Sequence, residues 1–405
     1  MNSVGVYLLF SQPILKDKVT YCLLRALLAA MLVVMVQAFA LGSDTLKSPF
    51  PFHQAELSYH SGMIMPHVPS IDFLSREYTT GIDLRLIRRT DGSKPWHRHF
   101  HRPLLGIGYH GGSLGNQGIY GQAHSLYGFF EAPLWNLSRS VYLNYQMSAG
   151  LSYITRTFDL DKNIYNIAIG THLNLHYQLS LLAGYRLTPK YHVVAGLGLT
   201  HFSNGKIHSP NKGLNLISSN VGIRYRFGDQ PSQPSREGSI SGNRPASASP
   251  TVQPPADYDK NHFSLVWSHG LRNHNRFHPA VYYVSSLNFS YERQYAPVAK
   301  FGLGLDAFYN PSLKHHQDNK RQGSDLTNPT LYRMGVHLSH DIQVGDFALT
   351  LQLGHYLYNR VFYITDFYNR VGLKYYSNPH LMWNLSLKSH NANAEFIELG
   401  FGYHW

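Results

Sequence analysis

The stretch VYLNYQMSAGLSY, residues 141–153, decides the fold. Val141, Leu143, Tyr145, Met147, Ala149, Leu151 and Tyr153 fall on one parity, and Tyr142, Asn144, Gln146, Ser148, Gly150 and Ser152 on the other. Period two is a strand period, because successive side chains leave a strand on opposite faces. The run is longer than the roughly 5–6 residues of a soluble strand and reaches the about 10 that a tilted strand needs to cross a bilayer. Its polar parity uses Gly, Ser, Asn and Gln rather than Lys and Glu, which suits a wet interior of limited width with apolar side chains facing lipid.

The same alternation recurs outward from this run, at Leu173–Leu181, Phe301–Ala307 and Phe347–Leu353. The chain ends with Ile397, Leu399, Phe401, Tyr403 and Trp405 interleaved with Glu398, Gly400, Gly402 and His404. This ending resembles the C-terminal signal of bacterial outer-membrane barrels, which implies the barrel-assembly machinery as a folding partner. Composition agrees. Charged residues are 14% of the 405, against about 25% in an average soluble domain, and aromatics are another 14%, led by 29 Tyr. A mean hydropathy of −0.26 excludes a polytopic helical membrane protein. The expectation is an all-β, transmembrane antiparallel β-barrel of the outer-membrane type, with about 12–16 strands.

Lys16, Lys18 and Arg25 precede the apolar stretch Ala26–Val36 and then Ala38-Phe39-Ala40. A basic segment, an apolar segment and an A-x-A site predict a signal peptide over 1–40, hence export to the outer membrane of a Gram-negative cell. Cys22, the single cysteine, lies inside it, so the mature chain would have no disulfide, thiol nucleophile or cysteine-ligated metal. The balance of 35 Lys+Arg against 23 Asp+Glu gives +12, suited to acidic or phosphorylated head groups. No Lys/Arg run is long enough to favour nucleic acid, and none is expected as a partner.

Residues 229–260 are rich in Pro and Ser, cannot pack a core and are expected to be a disordered linker. It separates strands within 41–228 from further strands within 261–405. Before it, strands are expected near 54–60, 78–90, 102–111, 117–134, 140–155, 172–188, 190–203 and 215–228, with a tight turn at Thr188-Pro189-Lys190; after it, six to eight more. A periplasmic N-terminus puts the linker in the periplasm and the 204–214 connection outside the cell. A single barrel shared by both halves is the expectation, although Ile223, Tyr225 and Phe227 imitate a terminal strand signal and would suit two.

Residues 196–215 read GLGLTHFSNGKIHSPNKGLN. His201 and Ser203 continue the lipid-facing parity of Val193, Ala195, Leu197 and Leu199. Polar groups there are costly unless they sit near the interface, which is where an enzyme acting on a membrane lipid would want them. Two residues apart on one strand, an imidazole and a hydroxyl stand side by side, so the first can activate the second. A hairpin symmetric about His208 would place Asn215 opposite His201 to orient the ring. Asn204 and the amide of Gly205 are candidate oxyanion donors.

THFSNG followed by PNKGLN, between alternating strands after a signal peptide, resembles the lipid A 3-O-deacylase (acyloxyacyl hydrolase-like) family of outer-membrane barrels. The resemblance spans about residues 54–228; residues 261–405 have no counterpart in that family's small barrels. It implies His201 as general base, Ser203 as nucleophile, Asn204 as oxyanion donor, lipid A of lipopolysaccharide as substrate and no metal or cofactor. The family's acid, a Glu, falls at Asn215 in this chain.

Other constellations read as structure. Trp96-His97-Arg98-His99-Phe100-His101-Arg102 spaces its histidines for one strand face and so for a metal, but a basic periplasmic loop is the expectation. Lys314-His315-His316 reads as a solvated loop. Adjacent Ser389 and His390 would point to opposite faces, and Glu395, on the parity of Ile397, would supply an acid only if the last strand closed near His201. Two other classes stay open: a pore or transporter barrel, and a non-catalytic lipopolysaccharide-binding or scaffold barrel.

Overall fold

The computed structural model describes residues 51–66, 69–72, 77–227, 261–275, 277–315, 331–361, 365–391 and 393–405. The expected signal peptide over 1–40, the expected linker over 229–260 and His316 lie outside the described residues.

Among the described residues, sixteen strands close into two antiparallel barrels. The first contains β1 (Gln54–Ile64), β2 (Tyr78–Arg89), β3 (Leu104–Ser113), β4 (Gln122–Asn136), β5 (Val141–Ile154), β6 (Leu173–Arg186), β7 (Tyr191–Ser203) and β8 (Leu214–Arg226). The second contains β9 (Asn261–Asn275), β10 (His278–Ala296), β11 (Ala299–Tyr309), β12 (Tyr332–Val344), β13 (Phe347–Tyr358), β14 (Phe367–Tyr376), β15 (Leu381–His390) and β16 (Asn393–His404). Expected strand positions in the first half agree to within a few residues. The expectation of one shared barrel is corrected. β8 pairs back onto β1, with Ile223 opposite Leu57 and Val221 opposite Tyr59. β16 pairs onto β9, with Phe401 opposite Trp267. In lipid an open sheet edge leaves backbone groups unsatisfied at several kcal/mol each, so each half satisfies its own edges. Ile223-Tyr225-Phe227 looked like a terminal strand because β8 is one.

Outer and inner parities separate as the alternation requires. Leu57, Leu84, Leu179, Leu197 and Ile223 are exposed around the first barrel, and Leu303, Leu338, Leu353 and Leu399 around the second. Eight strands leave an interior just wide enough for side chains to fill, and here charges fill it. In the first barrel Arg85 binds Glu56 and Asp83, each at 2.8 Å, and Arg224 binds Glu56 at 2.7 Å and Glu131 at 2.8 Å. In the second, Arg370 binds Glu398 at 2.7 Å and Asp306 at 3.3 Å, while His337 reaches Asp306 at 2.8 Å. Removing one partner of such a pair strands a buried charge, at a cost of about 3–5 kcal/mol. A cavity of about 20 Å³ beside His60, Asp83 and His176 has room for roughly one water.

The two ends differ. One carries short turns at 137–140, 187–190, 297–298, 345–346 and 377–380; the other carries the loops 114–121, 155–172 and 204–213. In outer-membrane barrels short turns face the periplasm and long loops the exterior. The Thr188-Pro189-Lys190 turn forms as expected, with the Thr188 hydroxyl accepting from the amides of Lys190 at 3.2 Å and Tyr191 at 3.0 Å. At the loop end an apolar plug of Ile64, Leu114, Tyr120, Ile154, Ile169, Phe202, Leu214 and Leu216 closes the first lumen.

Candidate active site

The plug sets the site. Phe202 is fully buried in it, as is Leu214 across the hairpin, and their burial fixes the register of the ends of β7 and β8. With Phe202 inward, His201 and Ser203 take the outer parity that Leu197 and Leu199 occupy lower on the strand. The register pairs His201 with Asn215, and their side chains meet at 2.6 Å, Nδ1 to Oδ1. An accepting carbonyl oxygen there puts the ring proton on Nδ1 and leaves Nε2 as the basic nitrogen. On the other side β6 sets Tyr177 opposite His201 and Leu175 opposite Ser203.

The β7–β8 loop folds back over Ser203, which is only 5% exposed. Its Oγ accepts from Asn211 Nδ2 at 2.8 Å and from the Gly205 amide at 3.1 Å. Asn211 Oδ1 in turn accepts from the Asn204 amide at 3.1 Å. Asn204 is an anchor: its Nδ2 donates to Thr171 Oγ1 and to the His208 carbonyl, both at 3.0 Å, while its Oδ1 accepts from the Lys206 amide at 2.9 Å. Of the two sequence-derived oxyanion candidates, Gly205 directs its N–H at Ser203, whereas the side-chain protons of Asn204 are engaged in holding the loop. Gly205 takes φ +60 and Gly213 φ +77, backbone that favours glycine. At Gly213 space matters as well, since an added Cβ would lie 2.7 Å from Cε1 of His201.

Sequence reasoning assigned no role to Asn211, although it lies inside the quoted PNKGLN, nor to Thr171, which precedes Asn204 by 33 residues and carries no readable signal. Of the second half it weighed only Glu395 as a neighbour of the site, and assigned no part to Asn273 or Ile397. The Asn273 amide donates to the Lys206 carbonyl at 3.0 Å, and Asn273 Oδ1 accepts from the Ser209 amide at 3.3 Å. Ile397 of β16 packs against Gly205, so close that a Cβ there would lie 2.1 Å from it. Burial and the nearby Arg272 lower the Lys206 ammonium to about 8, against the opposing pull of Glu395.

The other candidates have different surroundings. Pro95–His99 forms a one-turn helix rather than a strand, so the alternate-face argument for three histidines does not apply; Pro95 opens the helix. There His97 Nδ1 lies 2.9 Å from Asp91 Oδ1. Glu395 is corrected. β16 bulges where Lys388 pairs with Phe396 and Ser389 with Ala394, and the bulge turns Glu395 away from the outer parity of Ile397. Its carboxylate is buried in the second lumen with Lys388, Arg333, Arg272 at 3.1 Å and Asn310 at 3.0 Å. His390 Nε2 lies 2.9 Å from the Tyr356 hydroxyl, while Ser389 pairs across the sheet with Asn369. Lys314 and His315 belong to a 3-10 turn, Pro311–His315.

Residues 80–224, which include His201, Ser203 and Asn215, match the family model described as Lipid A 3-O-deacylase (PagL). The C-terminal half has a family model of its own: residues 261–405 match Acyloxyacyl hydrolase, C-terminal domain. None of the curated proteins compared with the chain matches it. Among solved structures, Neisserial surface protein A is 11% identical, covers 43% of this chain and 96% of its own, and gives a TM-score of 0.29. The outer membrane enzyme PagL is 18% identical, covers 41% of this chain and 97% of its own, and gives a TM-score of 0.27. A triple mutant of the Rhodopseudomonas blastica porin is 7% identical over 87% of this chain and 99% of its own, with a TM-score of 0.17. Residues 80–224, in the first barrel, are thus similar to the lipid A 3-O-deacylase family, and residues 261–405, the second barrel, to the acyloxyacyl hydrolase C-terminal domain.

Proposed function

We propose that the protein is an exported outer-membrane esterase that hydrolyses an ester-linked acyl chain of lipid A through Ser203. The observation that carries this reading is the His201–Asn215 contact of 2.6 Å on the outer face of the barrel, on the same strand face as Ser203. Lipid A would arrive laterally, its acyl chains alongside Leu199, Leu175 and Tyr177, so no lumen is needed. Export rests on residues 1–40 as signal peptide, and folding on recognition of the Trp405-terminated strand by the barrel-assembly machinery.

Ser203 Oγ attacks the acyl carbonyl carbon while its proton passes to His201 Nε2. The tetrahedral oxyanion lies within reach of the Gly205 amide and Asn211 Nδ2, the two donors nearest Oγ. The imidazolium then protonates the leaving sugar oxygen, and the ester C–O bond breaks. Water attacks the acyl-serine with His201 again as base, releasing the fatty acid and restoring the hydroxyl. Asn215 fixes the tautomer throughout, as the family's Glu would, but brings no charge to the imidazolium.

That missing charge is the observation favouring a second reading, a lipopolysaccharide-binding relative without hydrolysis. A serine-directed fluorophosphonate separates the two. Under the esterase reading the purified chain gains one adduct, mapped to Ser203 by peptide mass, and Ser203→Ala gains none. A wild-type chain that is folded, as shown by the heat-modifiable gel mobility of a closed barrel, and yet unlabelled overturns the esterase reading.

A further inference from the structure

At the turn end the first barrel opens into a cavity of about 210 Å³ lined by Arg89, Arg102, Arg186, Arg224 and Arg226, and no carboxylate lines it. Among the described residues only Arg224 of these five forms salt bridges, to Glu56 and Glu131 deeper in the lumen. Arg186 donates to the Arg139 carbonyl at 2.6 Å and lies over the Tyr142 ring at 4.9 Å, contacts that leave its charge uncompensated. The Nε atoms of Arg89 and Arg226 are buried and have no hydrogen-bond partner among the described residues. Four guanidinium groups, those of Arg89, Arg102, Arg186 and Arg226, thus converge on one semi-enclosed space, and the one acid acting on Arg89 there, Glu131 deeper in the lumen, is already bound to Arg224.

The second barrel shows what a balanced mouth looks like. At its turn end Lys374 binds Glu292 and Asp341, each at 2.7 Å, and Lys300 lies 3.9 Å from Glu292. Cations in a narrow lumen repel one another unless a carboxylate or a bound anion intervenes. The second barrel supplies carboxylates; the first supplies a cavity lined by guanidinium groups, two of whose buried Nε atoms have no hydrogen-bond partner among the described residues.

We infer that the turn-end mouth of the first barrel is a binding site for a multivalent phosphate group, taken from the periplasmic side. One monovalent anion would neutralise one of four charges, whereas a phosphate or pyrophosphate offers several oxygens to guanidinium forks at once. The choice of Arg over Lys at all five positions fits that geometry. The site lies at the opposite end of β7 from Ser203, roughly 40 Å of strand away, and does not depend on hydrolysis at Ser203. The same chemistry is carried by soluble phosphates and by anionic head groups of the inner leaflet.

The test is calorimetry on the full chain, refolded in zwitterionic detergent, titrated with inorganic pyrophosphate. The proposal expects one saturable site, with affinity at least tenfold weaker in Arg89→Gln/Arg226→Gln and unchanged in Lys300→Gln. Without anion the double variant should resist thermal unfolding better than wild type, because like charges have been removed, and pyrophosphate should raise the unfolding temperature of wild type alone. Arg89→Lys/Arg226→Lys, which keeps the charge and loses the fork, should bind with intermediate affinity. No saturable heat in wild type, or equal affinity in wild type and the Gln variant, overturns the site. In nanodiscs, loss of pyrophosphate affinity on adding phosphatidylglycerol to phosphatidylcholine identifies the head group as the occupant; unchanged affinity identifies a soluble phosphate.

Discussion

His201 and Asn215 face each other across the β7–β8 hairpin, Nδ1 to Oδ1, at 2.6 Å. A neutral amide in this place fixes the ring's tautomer but cannot offset the charge the ring gains when it takes the serine proton. Asn215→Ala should therefore lower kcat on lipid A by about a hundredfold or more with the barrel intact. Asn215→Glu should raise kcat and move the acidic limb of the kcat/KM profile to higher pH, since a carboxylate favours the protonated imidazole. Steady-state assays of fatty-acid release across pH measure both.

Gly213 supports the same ring from beneath. At φ +77, and with an added Cβ 2.7 Å from Cε1 of His201, any other residue must displace the imidazole. Gly213→Ala is expected to reduce kcat by about a hundredfold, the scale of an ångström-sized misplacement, while leaving the gel mobility of the folded barrel unchanged.

The second barrel holds the loop that carries Gly205 and Asn211. Asn273→Ala keeps the backbone hydrogen bond to the Lys206 carbonyl but removes the acceptor for the Ser209 amide, together with the Nδ2 donor to the Ala280 carbonyl within the second barrel. One such hydrogen bond contributes about 0.5–1.5 kcal/mol, so kcat should fall about three- to tenfold with KM nearly constant, and hydrogen exchange over 204–209 should accelerate. A rise in KM alone would place Asn273 in substrate binding instead.

Lys206 gives this docking a pH dependence. Its folded pKa, about 8, lies below the ordinary lysine value through burial and Arg272, with Lys212 adding to them and Glu395 opposing. Between pH 8 and about 10.5 the undocked chain binds more protons than the docked one, so docking strengthens as pH rises through that window and is weakest below 8. Exchange protection of the Ser209 amide, corrected for intrinsic rate, should increase from pH 7 to 10 in wild type and stay flat in Lys206→Met.

Much of this was legible in the sequence, and the reason is periodicity. Strands such as Val141–Ile154 are fixed by which side meets lipid, and a one-residue slip would put Asn144 and Gln146 into hydrocarbon. The same parity placed His201 and Ser203 on the outside, and hairpin symmetry placed Asn215 opposite His201. What parity cannot carry was missed. Closure of two barrels depends on which distant edges pair, and β8 on β1 is a non-local choice. Glu395 was misplaced because a single bulge reverses parity. Asn211 and Thr171 act through a loop fold that has no repeat to read, and Asn273 acts from another barrel.

The central claim is most directly tested by mass spectrometry of lipid A from cells expressing wild type, Ser203→Ala or an empty vector, with outer-membrane insertion of both proteins verified. The account predicts lipid A lacking one acyl chain with wild type only, the Ser203→Ala sample matching the vector. Fully acylated lipid A in all three samples, or deacylation that persists in Ser203→Ala, would contradict it.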